Sequence, residues 1–427
     1  MNDLLMLSLG VVLVALLFIV AHRSARLAVC AALVALCFVP VWIGVGLGFN
    51  GNLFLPVATV AALGCGAALL PLRGFRFSIV DGLLVLLVVV AASSLITSDT
   101  ALALAFLVTP FAYFTGGYAL GRLASARLGA DFLYRAIAVV FTVVAILAII
   151  EFATGFNPFL TLTSGNSLYF EWGTVQERGG RLRAEGAFGH AIALGASLAL
   201  AIPLTLASTL RFGLRLVMVI LMATATAFTF SRIGIISAFL GIALCVVLMR
   251  DRLTVPQRWV LTSGGGVLVL AMLPFVTTVF SEAGEEATGS ADYRGELLPL
   301  LEHANLVGFS DLVHHSPTGA LSFGNFQSID SQLIFTGLTT GTLALVAVCL
   351  ALAAAIYLCL RGRAEPATIA VVAQIPAFAT VALITQYSIM IWLVIGIAAT
   401  TQLARQPAFA PKTLQLPSPI RLSTPGE

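Results

Sequence analysis

Read from its N-terminus, the chain is a succession of apolar runs, each about as long as a bilayer is thick. A helix needs about 20 apolar residues to cross the hydrocarbon core. Such runs occupy 4–21, 27–48, 53–72, 79–97, 100–120, 132–154, 188–209, 214–230, 233–249, 259–280, 329–360, 367–385 and 388–404. In lipid, every backbone N–H and C=O must find its partner inside the protein, and a helix does this within each segment. The expected fold is therefore all-α, a polytopic transmembrane helix bundle of about 12–13 crossings. Segment 329–360 is longer than one crossing needs, and the last two are short enough to form a broken or re-entrant pair.

Composition closes the alternatives. Of 427 residues, 59% are hydrophobic and 10% charged, whereas soluble domains carry roughly 25% charge. A mean hydropathy of +1.05 leaves no room for a large soluble domain. Soluble enzymes, secreted disulfide scaffolds, nucleic-acid binders and disordered regulators are excluded. Cys30, Cys37, Cys65, Cys245, Cys349 and Cys359 all sit in apolar runs, so no disulfide frame, CxxC pair or thiolate metal site is expected. The only lysine, Lys412, follows Pro411, so no phosphate-binding GxxxxGK loop exists and nucleotide-driven chemistry is not expected. No cofactor or metal is called for. The start, Met1-Asn2-Asp3, lacks a basic region and reads as a membrane anchor, not a cleaved signal.

Arginine placement sets the expected orientation. Connections after the odd-numbered segments, with the C-terminal tail, carry 17 of the 22 Lys and Arg residues. The other connections carry Arg178, Arg181, Arg183, Arg232 and Arg294. By the positive-inside rule the N-terminus is outside and the C-terminus inside. The chain then divides into N-terminal transmembrane helices (1–154), an outer loop (155–187), and transmembrane helices bearing a Ser-Arg motif (188–280). A large outer loop (281–327), C-terminal transmembrane helices (328–405) and a cytoplasmic tail (406–427) follow. Two polar loops on the outer face make that face the expected seat of any chemistry.

Arg178 and Arg181 read as solvated loop charges. Arg232, in Phe230-Ser231-Arg232-Ile233, lies between two apolar helices with almost no loop around it. A guanidinium there is costly unless an anion meets it, although interfacial snorkelling is the plain alternative. The helix after it begins at the outer face, where its N-terminal amides favour an anion, and Ser231 is a fitting N-cap. Segments 188–209 and 329–360 begin at the same face, preceded by Arg183 and Arg294. Together these make a pyrophosphate cradle, for which arginine's bidentate fork is suited.

Arg183-Ala184-Glu185-Gly186-Ala187-Phe188-Gly189-His190, followed by a helix carrying Pro203, resembles the R-x-x-G-x-F motif of the O-antigen ligase and O-antigen (Wzy-type) polymerase superfamily. Phe230-Ser231-Arg232 is similar to its S-R motif. The stretch from Arg294 through Leu306-Val307-Gly308 to Ser328-Ile329-Asp330-Ser331 and Gly337/Gly341 resembles its large outer loop and exit helix. The resemblance implies a GT-C-like, metal-independent glycosyltransferase of the bacterial plasma (inner) membrane. It would move a glycan from undecaprenyl pyrophosphate to an acceptor glycan or lipid on the outer face. Membrane lipids and polysaccharide export or chain-length proteins would be further partners, and nucleic acid would not. Arg183, Arg232 and Arg294 would hold the pyrophosphate with Ser231. His190 and His303 would contact substrate, or serve structural ends. Many members have a His-Asn pair where the large loop re-enters the membrane; here Asp330 stands there, as general base or as a simple helix cap. His303, His314 and His315 are alternative bases. Glu151, Tyr169, Phe170 and Trp172 are candidates for lining a sugar groove. Departure from the family's histidine tilts the reading towards polymerase over ligase. A transporter or flippase of lipid-linked oligosaccharide is the alternative class, disfavoured because no segment carries a charge at its centre.

Overall fold

The computed structural model describes residues 12, 14–16, 18–47, 53–70, 75–97, 107–282, 293, 295–315 and 321–405. Its helices are α1 (Ala25–Phe38), α2 (Val57–Ala68), α3 (Ile79–Thr97), α4 (Thr115–Leu128) and α5 (Ala130–Thr154). After them come α6 (Ser167–Trp172), α7 (Ala191–Ala207), α8 (Phe212–Phe228), α9 (Arg232–Leu248) and α10 (Val255–Glu282). The last are α11 (Gln332–Thr340), α12 (Thr342–Leu360), α13 (Pro366–Ala373), α14 (Ile375–Thr380) and α15 (Thr385–Arg405). The fold is all-α. The strands described are three short antiparallel hairpins: β1 (Gly44–Leu47) with β2 (Leu53–Pro56), β3 (Glu177–Arg178) with β4 (Arg181–Leu182), and β5 (Val313–His315) with β6 (Leu321–Phe323). By length and composition four described helices can cross a membrane: α3, α5, α12 and α15.

Four expected segments are corrected. The runs 27–48 and 53–72 were expected to be helical throughout, but residues 44–47 and 53–56 pair as a hairpin between α1 and α2. The run 329–360 is two helices, broken at Gly341, whose φ is +106°. The break is stitched by the preceding loop: Thr342 N–H donates to Asn305 O at 2.8 Å and Gly308 N–H to Thr340 O at 3.0 Å. In place of 367–385, α13 and α14 meet at Gln374, an extended connection follows, and α15 starts at Thr385. The tail 406–427 lies outside the described residues.

The seam at the centre of the bundle is glycine-made. On α4, Gly117 and Gly121 face the carbonyls of Ile389 and Leu393 on α15, and Gly396 returns the contact against Tyr118 O. Small residues four apart let two backbones touch, which replaces the missing hydrophobic drive between helices in lipid. At one end of this seam Arg122 and Asp81 form a buried ion pair at 3.1 Å. Arg122 also donates to Thr400 Oγ1 at 3.1 Å and sits 4.7 Å from the Phe75 ring. Arg252 with Asp131 and Arg405 with Glu365 close other ion pairs of the bundle. This is the arginine end. The site lies at the other, loop end.

Candidate functional site

Segment 176–190 is laid across the turn between α8 and α9. Arg183 N–H donates to Gln176 O at 3.0 Å, and Ala184 N–H to Phe228 O at 3.1 Å. The Arg183 guanidinium is buried; its Nε donates to Thr229 O at 2.9 Å and one terminal nitrogen to Gln176 Oε1 at 3.2 Å. Arg178 donates to Phe230 O at 2.9 Å. Arg178 and Arg183 thus grip consecutive carbonyls of the turn that delivers Ser231 and Arg232. Arg178 is an anchor of this turn, where the sequence suggested only a solvated charge.

The helices behind them meet backbone to backbone. A Cβ on Gly234 of α9 would lie 3.0–3.3 Å from the backbone of Gly195 on α7, and one on Gly195 would lie 2.7 Å from Thr229 Oγ1. The first turns of α7 and α9 therefore sit side by side. Ser231 caps α9: its Oγ accepts from Gly234 N–H at 3.1 Å. Arg232 is the first residue of α9 and is exposed. His190 caps α7, its Nδ1 accepting from Ile192 N–H at 3.1 Å. With Nδ1 an acceptor, the ring proton is on Nε2. His190 is thus a neutral cap that offers one N–H. Gly189 before it needs its φ of +63°, and a Cβ there would run into Trp42 and Trp172.

Beneath the turn lies a carboxylate pair. Glu151, at the end of α5, accepts from Asn157 Nδ2 at 2.9 Å, Glu185 N–H at 3.2 Å and Gly186 N–H at 2.8 Å. Glu185 accepts from Gln176 N–H at 2.9 Å through Oε1, while Oε2 is buried without a partner. Burial pushes the Glu185 pKa up to about 8; Gln176 N–H opposes this, Glu151 adds to it and Arg183 offsets it. A raised carboxyl pKa means the folded chain keeps a proton that the unfolded chain has released. Stability from this group is then complete below about pH 4.5 and is lost as pH rises through about 8. Glu185→Gln is expected to flatten that slope, with a Tm above wild type at pH 9 and no gain at pH 4. A Tm difference independent of pH would refute a neutral Glu185.

A third element enters from α15. Gln386 Nε2 donates to Ala187 O at 2.7 Å and to Val39 O at 3.0 Å, joining α15 to the motif segment. On its other side the same connection holds the start of α11: Gln332 N–H donates to Val381 O at 3.0 Å, and Leu383 N–H to Gln332 Oε1 at 2.8 Å. Ser331 caps α11, its Oγ accepting from Ile334 N–H at 3.4 Å. Capping is therefore not the task of Asp330, which stands half-buried one residue earlier. His303 is exposed at the end of a 3₁₀ turn, Leu298–His303. His314 is exposed too, held by its own loop through Leu312 O at 2.9 Å. Arg294 lies outside the described residues.

Below Gln332 runs an apolar groove of about 1060 Å³, counted out to its open mouth. Along α3 it passes Val80, Leu84, Leu87 and Ser94, a rise of about 21 Å. Thr336 of α11, Val348 and Leu352 of α12, and Trp392 of α15 complete its walls.

No protein-family model, curated protein or solved structure matches the chain. The pair Glu151 and Glu185 and the first turn of α15 are the parts that sequence reasoning did not bring together. Glu185 stands inside the arginine motif, yet only the fold buries it. Residues 386–387 fell in the link between two expected segments.

Proposed function

We propose that the chain is a membrane glycosyltransferase of the O-antigen ligase or polymerase type. It takes a glycan from undecaprenyl pyrophosphate and transfers it to an acceptor on the outer face of the bacterial plasma membrane. The observation that carries this reading is the convergence of two arginine motifs far apart in sequence. Arg183 is bonded to the turn that opens α9, and Arg232 stands exposed at the N-terminus of that helix. An outward amide turn with an arginine fork suits a pyrophosphate. The two outer loops, the about 12–13 crossings and the GT-C-like class belong to the same proposal.

In the proposed reaction the acceptor hydroxyl oxygen attacks the anomeric carbon. The bond from that carbon to the pyrophosphate oxygen breaks, and the hydroxyl proton passes to the Asp330 carboxylate. Arg232 and the amides after Ser231 stabilise the charge that grows on the leaving oxygen, the type of contact whose removal commonly costs about 10²–10³ in rate. The groove beneath Gln332 takes the isoprenoid tail, its apolar walls matching a hydrocarbon chain.

Purified protein in nanodiscs, supplied with a lipid-linked glycan, is expected to release undecaprenyl pyrophosphate and lengthen or relocate the glycan. Asp330→Asn should lower that rate by about 10²–10⁴ while leaving folding intact. Translocation of intact donor without release would replace the enzyme by a flippase. Full activity of Asp330→Asn, with loss on changing His303, His314 or His315, would move the base to that histidine.

A further inference from the structure

Among the described residues two non-glycine residues have a positive φ, Phe230 at +47° and Thr385 at +46°. Both stand where the chain turns into a helix at the loop end of the bundle. Bulky and β-branched residues are strained in this region of φ, and such strain persists where the surroundings impose it, often at functional sites. For Phe230 the surroundings are visible: its ring is fully buried and its carbonyl accepts from Arg178. Thr385 is buried as well. Its Oγ1 is buried and makes no hydrogen bond.

The same turn of α15 holds two more such atoms, Gln386 Oε1 and Ser388 Oγ. The three residues are 7%, 1% and 1% exposed. The Gln386 amide cannot be reversed, because Nε2 donates to both Val39 O and Ala187 O. Its Oε1 is therefore an acceptor that lacks a donor. Burying polar groups in this state is costly, and three in one turn of a 21-residue helix call for a common partner.

The donor and acceptor inventory selects the partner's chemistry. Gln386 Oε1 must receive a hydrogen, whereas the amides of a helix's first turn, with the Thr385 and Ser388 hydroxyls, offer hydrogens. A fully ionised phosphate only accepts and would leave Gln386 unmet. An ammonium only donates. A sugar hydroxyl does both, and the three side chains are uncharged, as a neutral sugar requires.

We propose that the first turn of α15 is a glycan subsite, in which Thr385, Gln386 and Ser388 hold the hydroxyls of a sugar ring. This rests on the transferase reading for its role. Gln386 places it against Ala187, in the same segment as Arg183 and His190. Saturation-transfer NMR on the full chain in nanodiscs, with the methyl glycosides of glucose, galactose, mannose and rhamnose at millimolar concentration, tests it. At least one glycoside should receive saturation. Thr385→Gly and Ser388→Ala should each weaken the transfer about fivefold or more. Neither substitution should lower the Tm: glycine accepts the positive φ without strain, and alanine deletes a hydroxyl that bonds to nothing in the fold. Arg232→Lys should leave the sugar signal intact while weakening inorganic pyrophosphate binding in calorimetry.

No transfer to any glycoside would mean that the turn holds water only, and would overturn the subsite. So would transfer unchanged in both variants, or loss of pyrophosphate binding in Thr385→Gly, which would make the turn a phosphate site. Sugar binding through Thr385 in a wild-type chain that ignores pyrophosphate would keep the subsite and sink the transferase reading.

Discussion

Gly121→Val is expected to abolish the folded protein. A Cβ at this position would lie 1.9 Å from the carbonyl oxygen of Leu393, and one at Gly117 would lie 2.3 Å from that of Ile389. These neighbours are backbone, so no rotamer change relieves the overlap and α4 and α15 must separate. Ordinary overpacking costs about 1–3 kcal/mol. Here the whole seam is displaced, and the loss should rival the usual margin of about 5–15 kcal/mol. Gly264→Ala on α10 is the matched control, because a Cβ there meets nothing within 4 Å and alanine favours the helix. Size-exclusion profiles and melting curves of the detergent-solubilised variants decide it. A Gly121→Val protein that is monodisperse and melts with the control would disprove the seam.

The second large effect is expected at Arg232. Lysine keeps the charge at the head of α9 but loses the planar fork. Arg232→Lys should insert and fold as wild type, since its side chain is exposed and Ser231 still caps the helix. Release of undecaprenyl pyrophosphate should fall by about 10²-fold, the scale of losing a directed donor at a developing charge. Binding of the isoprenoid tail should persist, because the groove along α3 is untouched. If the lysine variant turns over donor at the wild-type rate, Arg232 is an interfacial anchor and the cradle must be sought elsewhere.

Much of the fold is legible in the chain because an apolar run of bilayer length has few alternatives to a helix. The cap at Ser231 was legible too, since a serine before an apolar helix has a local reason to be there. The breaks were not. Gly341 lies between two threonines in a long apolar run, and the break there is held by Thr342, which donates to the carbonyl of Asn305, 37 residues before it. Residues 44–47 and 53–56 read as helix because a short apolar run has no period that separates it from a strand. At the site, the arginines are marked in the sequence by their charge in connections that otherwise carry little of it. Glu185 and Thr385 carry no such mark. One is defined by burial under Gln176, the other by a backbone angle, and both arise only when distant segments close.

The bond between Arg122 and Thr400 joins residues 278 positions apart, and Gln386 reaches Val39 across 347. Contacts of such separation form late, after the chain between them has been threaded. While the protein is being made, the glycine face of α4 stays open and must wait for the last helix to fill it. A ribosome stalled before Thr385 would leave both arginine motifs already made, yet neither the seam nor the polar turn beside Ala187 would exist. Premature termination in this protein should therefore leave an incomplete and exposed bundle, a natural substrate for membrane quality control.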